Sequence, residues 1–503
     1  MSRVMGAALV GIDGAVVEVE VRISSQLPRI DIVGLPEASV RESAARVRAA
    51  IAAVGERFPQ ARVTVNLAPA GLRKGGAGLD LAIAVGVLQA HGALVDEACP
   101  ATAFLGELAL DGRLRPVRGT LAMVMAARAA GCTCVVVPES GAGTAALAPD
   151  VEVLAAPDLA AVLAHLRGTD RLVVAQPPDD PAPDPDELCI ADVRGQEGAK
   201  RALEIAAAGG HGLLLQGPPG SGKSMLARRL PGLLPPLDPD ERLAATRIHS
   251  AAGMLGDQNA VVWKRPFRAP HHSATPAGLL GGGSPLRPGE ASLAHCGVLF
   301  LDELPEFERR IREALRQVLE ERAVQLARAG ISCRFPADFM LVAAANPCPC
   351  GWYRSALRDC RCELAQIERY RQRISGPLLD RIDLHVWVPA QTWQRLEGPR
   401  DGETSTPLRA RIARARALQR ARAGVCNARL SDPGLDAVLL PSDEARALLG
   451  RAVDRLGLSA RAARRIWRVA RTIADLAGHT GVGAPDVAEA LSYRAEPGAG
   501  NPP

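Results

Sequence analysis

Residues Gly217 to Ser224 read Gly-Pro-Pro-Gly-Ser-Gly-Lys-Ser and directly follow the apolar run Leu213-Leu214-Leu215. An apolar run, a glycine-rich turn and a helix beginning near Met225 fit one arrangement, a buried strand feeding a phosphate-binding loop. The glycines let backbone N–H groups close around a β-phosphate, and the helix N-terminus adds partial positive charge. Lys223 can reach the β- and γ-phosphates, and the Ser224 hydroxyl can ligate Mg²⁺. The expected cofactors are therefore ATP and Mg²⁺, cradled by Gly217, Pro218, Pro219, Gly220, Ser221, Gly222, Lys223 and Ser224.

Further downstream, Gly297-Val298-Leu299-Phe300-Leu301 ends in Asp302-Glu303. A continuous apolar run of this kind is a buried parallel strand, delivering two carboxylates at its C-terminal edge. Asp302 is expected to hold Mg²⁺ through water, and Glu303 to orient and polarise an attacking water. A third apolar strand, Met340 to Ala345, ends at Asn346, whose amide could contact the γ-phosphate or that water. The segment Ser375-Gly376-Pro377-Leu378-Leu379-Asp380-Arg381-Ile382-Asp383 offers Arg381 as a finger acting on a neighbouring subunit's nucleotide. The alternative for Arg381 is a structural salt bridge to Asp380 or Asp383.

The chain has 503 residues, 48% hydrophobic and 23% charged, the composition of a globular protein of about three domains. No apolar run could span a bilayer and no leader is visible, so a cytoplasmic location without membrane partners is expected. The net charge of +5 says little about partners. Residues 1–168 read as an α/β unit: Val17, Val19, Val21 and Ile23 alternate with polar residues, after a turn expected at Asp13-Gly14. Val63, Val65 and Leu67 repeat the alternation, and helices are expected over 37–54, 78–91 and 119–130. A linker follows over 169–187, Pro- and Asp-rich from Gln176 to Glu187. The ATPase core spans 188–392 with a parallel sheet. A soft boundary at 396–407 precedes a C-terminal helical lid over 393–495, and the tail from Glu496 to Pro503 is expected to fray.

Within that lid, Arg461, Arg464, Arg465, Arg468 and Arg471 share about one third of a helix circumference. Arg461, near the helix start, fits a second nucleotide sensor, whereas the other four read as a solvated basic face. Arg409, Arg411, Arg414, Arg416, Arg420 and Arg422 form either a basic helix near DNA or another solvated face. Cys348, Cys350, Cys360 and Cys362 form C-x-C…C-x-C, and four thiolates this close could close a tetrahedral zinc site. The remaining cysteines, Cys99 among them, read as ordinary thiols.

The motifs in this order resemble AAA+ ATPases of the magnesium-chelatase-like branch. Pro266-Phe267-Arg268-Ala269-Pro270-His271-His272-Ser273, the Gly281–Gly283 run, Arg287-Pro288-Gly289-Glu290, Leu304-Pro305-Glu306-Phe307 after Asp302-Glu303, and Asn346-Pro347-Cys348-Pro349-Cys350-Gly351 narrow this to the ComM/YifB family, from Met1 to about Tyr493. The resemblance implies a hexameric ring with ATP at subunit interfaces, and a DNA helicase promoting branch migration of recombination intermediates during natural transformation. Its expected partner is branched or single-stranded DNA. The alternative is a chelatase-like motor that remodels a protein partner for metal insertion. The segment 264–290, with Lys264, Arg265, Arg268 and Arg287, is then the DNA-contact candidate, its histidines structural. The N-terminal unit is similar to the Lon protease domain. Lys74-Gly75-Gly76-Ala77-Gly78-Leu79-Asp80 holds no serine at the nucleophile position, and Gly119-Thr120-Leu121-Ala122-Met123 no lysine, so peptidase activity is not expected.

Overall fold

In the computed structural model, residues 1–94, 101–181, 188–255, 260–328, 331–397 and 402–494 are described. Cys99, the linker's acidic stretch 182–187, the boundary residues 398–401 and the tail beyond 494 lie outside them.

The N-terminal segment builds an eight-stranded mixed sheet. Its order is Val173–Val174, Glu152–Ala156, Cys134–Pro138, Thr102–Phe104, Ser2–Val10, Asp13–Ser24, Arg62–Ala68 and Arg29–Val33. Val17, Val19 and Val21 are fully buried, as their alternation with polar residues requires. The helices Ser43–Ala53, Asp80–Ala90 and Thr120–Ala129 fall where the periodicity places them. The turn does not. Val10 pairs with Asp13, so the chain reverses at Gly11-Ile12, with Gly11 at φ 66°. Gly14 serves a different need, because a Cβ there would come within 2.3 Å of the Ala122 carbonyl oxygen. Lys74 is buried, its ammonium bonded to the carbonyls of Gly34, Leu67 and Pro69. That arrangement ties the strand ends together and uses all three of the ammonium's donors.

The hairpin tip plugs into the next unit. Ile12 is 2% exposed and joins a core cluster with Phe335 and Leu341. The contact is extended by an Arg247–Asp13 ion pair and by the Gly119 amide donating to the Ser250 carbonyl.

The central unit carries a five-stranded, all-parallel sheet. Its order is Phe267–Arg268, Val298–Leu301, Met340–Ala345, Leu213–Gln216 and Leu384–Trp387. Its strands lack a polar face because both faces are covered. Leu213, Leu215, Phe300, Val342 and Ala344 enter one core, while Leu214, Leu299, Leu301, Leu341 and Ala343 enter the other. The first core is continuous with the C-terminal helices Ser405–Ala423, Asp432–Leu439, Asp443–Leu456, Ala460–Ala477 and Ala484–Ser492.

Parallel strands share one carboxyl edge. Leu213 pairs with both Val342 and Leu384, and Val298 with Met340, so Gln216 ends level with Ala345 and Leu301 level with Ala343, two residues short of them on the same edge. That edge is where open α/β sheets bind ligands.

Candidate active site

The helix Lys223–Leu233 starts at the end of the glycine loop, with Gly220 and Gly222 at φ 74° and 93°. A Cβ on either glycine would meet nothing within 4 Å, whereas one on Gly217 would lie 2.1 Å from the Val388 carbonyl oxygen. The loop is thus pinned at its base and open at its crest, the shape an anion cradle needs. Lys223 is 8% exposed, and its Nζ donates to the carbonyls of Gly217 and Pro218, both at 2.8 Å, and to Asn346 Oδ1 at 3.2 Å. Burial lowers its pKa, opposed by the charges of Asp302 and Glu303. An incoming phosphate would favour the charged form.

The Ser224 hydroxyl donates to Asp302 Oδ2 at 2.7 Å. This hydroxyl and carboxylate, both oxygen donors, converge beside the loop as a hexacoordinate Mg²⁺ requires of its protein ligands. Glu303 follows in a left-handed conformation, φ 53°, which turns its side chain out of the strand. Its carboxylate is half exposed, and Oε2 lies 3.2 Å from His272 Nδ1. His272 itself packs against His271, ring centroids 4.1 Å apart and planes tilted by 33°. Lys223, Ser224, Asp302, Glu303 and Asn346 therefore assemble on one edge of the sheet.

Cys348, Cys350, Cys360 and Cys362 also come together there, their sulfur atoms all within 4.8 Å of one another. Pairs 348–350, 348–360 and 350–360 are 3.4, 3.7 and 3.6 Å apart. A tetrahedral zinc with bonds of about 2.3 Å sets its sulfurs about 3.8 Å apart, so the donor set fits that ion. Burial raises the Cys350 thiol, but the backbone N–H groups of Trp352 and Arg361 and the neighbouring thiols bring it down to about 6. The cluster leans on the phosphate loop: a Cβ on Gly351 would come within 2.6 Å of the Pro219 ring.

Arg381 and Arg461 lie elsewhere. Arg381 precedes the strand Leu384–Trp387, so it sits beyond the amino edge of the sheet. Four residues of strand, about 13 Å, separate the two edges. The Arg381 guanidinium is bound to the Pro377 carbonyl and to Glu320. Its expected structural partner Asp383 instead accepts from His211 at 2.9 Å and from Arg465 at 2.5 Å. Arg461 is exposed and has no hydrogen-bond or ion-pair partner among the described residues.

The other four arginines of that helix are not a solvated face. Arg471 is fully buried, bonded to Asp475 and to the carbonyls of His479 and Thr480. Arg464 pairs with Asp436 and Arg468 with Asp432, while Arg465 joins Asp383. Helix Ser405–Ala423 is similar: Arg411 holds Glu204 and Glu403, Arg416 is buried on the Ala207 carbonyl, and Arg420 and Arg422 reach Asp238 and Asp475. In the segment 264–290, Arg265 is buried on Glu241 and Arg268 is bidentate to Glu290. Arg287, at the Gly281–Gly282/Arg287–Pro288 hairpin, is exposed and has no such partner among the described residues. Among the described residues, no helix is long and apolar enough to cross a membrane.

Glu320 and Gly351 are functional candidates that sequence reasoning did not single out, and His272, which the sequence reads as a structural histidine, is a third. His272 lay inside a quoted motif, but nothing in its spacing points to Glu303.

Residues 189–396 match the family described as magnesium chelatase, subunit ChlI. Residues 19–141 match subunit ChlI of Mg-chelatase, and 402–494 the C-terminal part of that subunit. Over 98% of this chain and 97% of the relative, it is 43% identical to competence protein ComM of Haemophilus influenzae. With the same coverage it is 42% identical to the uncharacterised protein YifB of Escherichia coli. An uncharacterised Mycobacterium tuberculosis protein is 45% identical over 98% of both chains. Full-length identity at this level, with the motif order and the shared sheet edge, places the chain in the ComM/YifB family of magnesium-chelatase-like AAA+ proteins.

Proposed function

We propose that the chain is the subunit of an ATP-driven ring, a hexamer by analogy with its family, that moves branched DNA. The observation that carries this reading is the split of the candidate machinery. The phosphate loop, Asp302, Glu303 and Asn346 occupy one edge of the sheet, while Arg381 lies beyond the other and Arg461 is one helical turn from Arg465, which is bonded to the Arg381 carbonyl and to Asp383. One chain cannot bring both to one nucleotide, but neighbouring copies placed head to tail in a ring can.

In that ring Lys223 holds the β- and γ-phosphates, and Ser224 and Asp302 are the residues that would hold Mg²⁺. Bound there, the ion would neutralise the negative charge that develops on the phosphates. Glu303, swinging from His272, orients the attacking water and accepts its proton. Asn346, already on Lys223, reports the state of the γ-phosphate. Arg381 of the next copy, released from Glu320, stabilises the transition-state charge, with Arg461 beside it. The four-cysteine loop is a zinc-stapled buttress of the phosphate loop.

The DNA part rests on full-length likeness to a competence protein and on the hairpin at Arg287, a cation with no partner among the described residues. A labelled four-way junction tests it. ATP-dependent conversion to forked products supports the reading, and junctions left intact at every protein concentration with ATP consumed count against it.

A further inference from the structure

Three arginines between Trp352 and Arg373 lie on aromatic rings instead of carboxylates. Four of the six arginine–aromatic stacks among the described residues fall between Trp352 and Arg373. Such pairs occur about once per 70–80 residues, so a stretch this short should hold roughly 0.3. Arg358 lies over Trp352 at 5.7 Å, and Tyr353 carries Arg354 at 5.3 Å and Arg371 at 5.2 Å. Unlike Arg411, Arg422, Arg464 and Arg468 of the C-terminal helices, Arg354, Arg358 and Arg371 have no carboxylate partner among the described residues. All three are exposed, while Trp352 and Tyr353 are half-buried and so hold their ring planes.

Planar guanidiniums layered on fixed aromatic rings, in excess positive charge, match one ligand chemistry. A base can stack on either plane, and the strand's phosphates meet the cations. A duplex offers phosphates but no free base faces. We infer that the four-cysteine loop presents a binding platform for an unpaired nucleic-acid strand, through Trp352, Tyr353, Arg354, Arg358 and Arg371. This deepens the DNA-motor reading and rests on it. Because Gly351 packs on Pro219, a strand gripped at this loop would sit one residue from a direct contact with the phosphate loop.

The test is fluorescence anisotropy with the full-length protein, using labelled 20-nucleotide oligo-dT, oligo-U and a blunt duplex across a salt series. Trp352→Ala should weaken oligo-dT binding roughly tenfold, with Trp352→Phe retaining most of it. Arg354→Ala/Arg358→Ala should lower the single-strand salt slope by about 1.4, at about 0.7 per phosphate. Duplex binding should change by less than twofold in each. Equal loss for oligo-dT and oligo-U assigns the platform to bases and phosphates rather than to the sugar. The inference is overturned if wild type binds oligo-dT and the variants, melting with it, bind equally well. It is also overturned if they lose oligomeric mass instead, which would make the loop a contact between copies. The motor reading fails separately, if wild-type protein binds no junction at all.

Discussion

His272 Nδ1 lies 3.2 Å from Glu303 Oε2, on the segment that joins the sheet's edge strand to the Gly281–Gly282 hairpin. The candidate water-activating carboxylate is thereby parked on a neighbour rather than aimed into the cradle. Glu303→Gln should lower turnover at least 100-fold, the usual worth of a positioned base, while leaving ATP affinity within about threefold. Turnover assays paired with fluorescent-nucleotide titration check this. His272→Ala should alter turnover without altering nucleotide affinity, because its polar contact is with Glu303 and its ring otherwise packs on His271.

Arg381 must act across copies if the site is shared. Lys223→Ala and Arg381→Ala should each be inactive alone, the first failing to bind ATP and the second binding but not hydrolysing it. Mixed in equal amounts they should recover about a quarter of the active interfaces, since each needs one lysine and one neighbouring arginine. No recovery, together with a lowered melting temperature for Arg381→Ala, would make the Glu320 ion pair the residue's whole role.

Burial, with the charge of Arg494, pushes the His385 imidazole down to about 4. Its Nε2 is sealed from solvent without a partner, although the residue as a whole is only partly covered. The unfolded chain, at about 6.5, binds more protons over this window, so stability falls as pH falls from about 6.5 to 4, by an amount on the order of 3 kcal/mol. Burial lowers His249 and His295 in the same direction. Asp383 is also held low: burial raises it, but the His211 hydrogen bond and the Arg465 charge outweigh that. Its contribution is lost only at still lower pH. Urea melts at a series of pH values should show the slope, and His385→Gln should flatten it.

The four-cysteine cluster should carry one zinc per chain, measured by elemental analysis after desalting. Cys350→Ser should release it and weaken ATP binding, since the loop that packs Gly351 onto Pro219 loses its staple. Metal-free protein with unchanged ATP affinity would remove the buttress role.

The candidate site was legible where its signals are local. A glycine loop after Leu213–Leu215 and carboxylates after Val298–Leu301 announce themselves because a doubly covered strand must be continuously apolar. Partners brought by tertiary approach left no such trace. Glu303 and His272 are far apart in sequence, and Gly351 looks like any turn glycine until Pro219 is set against it. Arginine faces misled for a related reason. Periodicity places Arg465 and Arg471 on one helix face but says nothing of Asp383, so burial with a partner reads as exposure to water. Asp13-Gly14 resembled a turn because Asp-Gly usually is one, whereas here the Gly14 backbone is needed for the approach of the Ala122 carbonyl.

The central claim is that ATP hydrolysis at an edge shared between copies is coupled to branched DNA. Steady-state ATP turnover at low salt, with and without a four-way junction, addresses it most directly. The account predicts turnover that rises several-fold with saturating junction, returns to baseline as salt strips phosphate contacts, and vanishes in Lys223→Ala. Turnover that is indifferent to the junction at low salt, in protein that hydrolyses ATP, would contradict it.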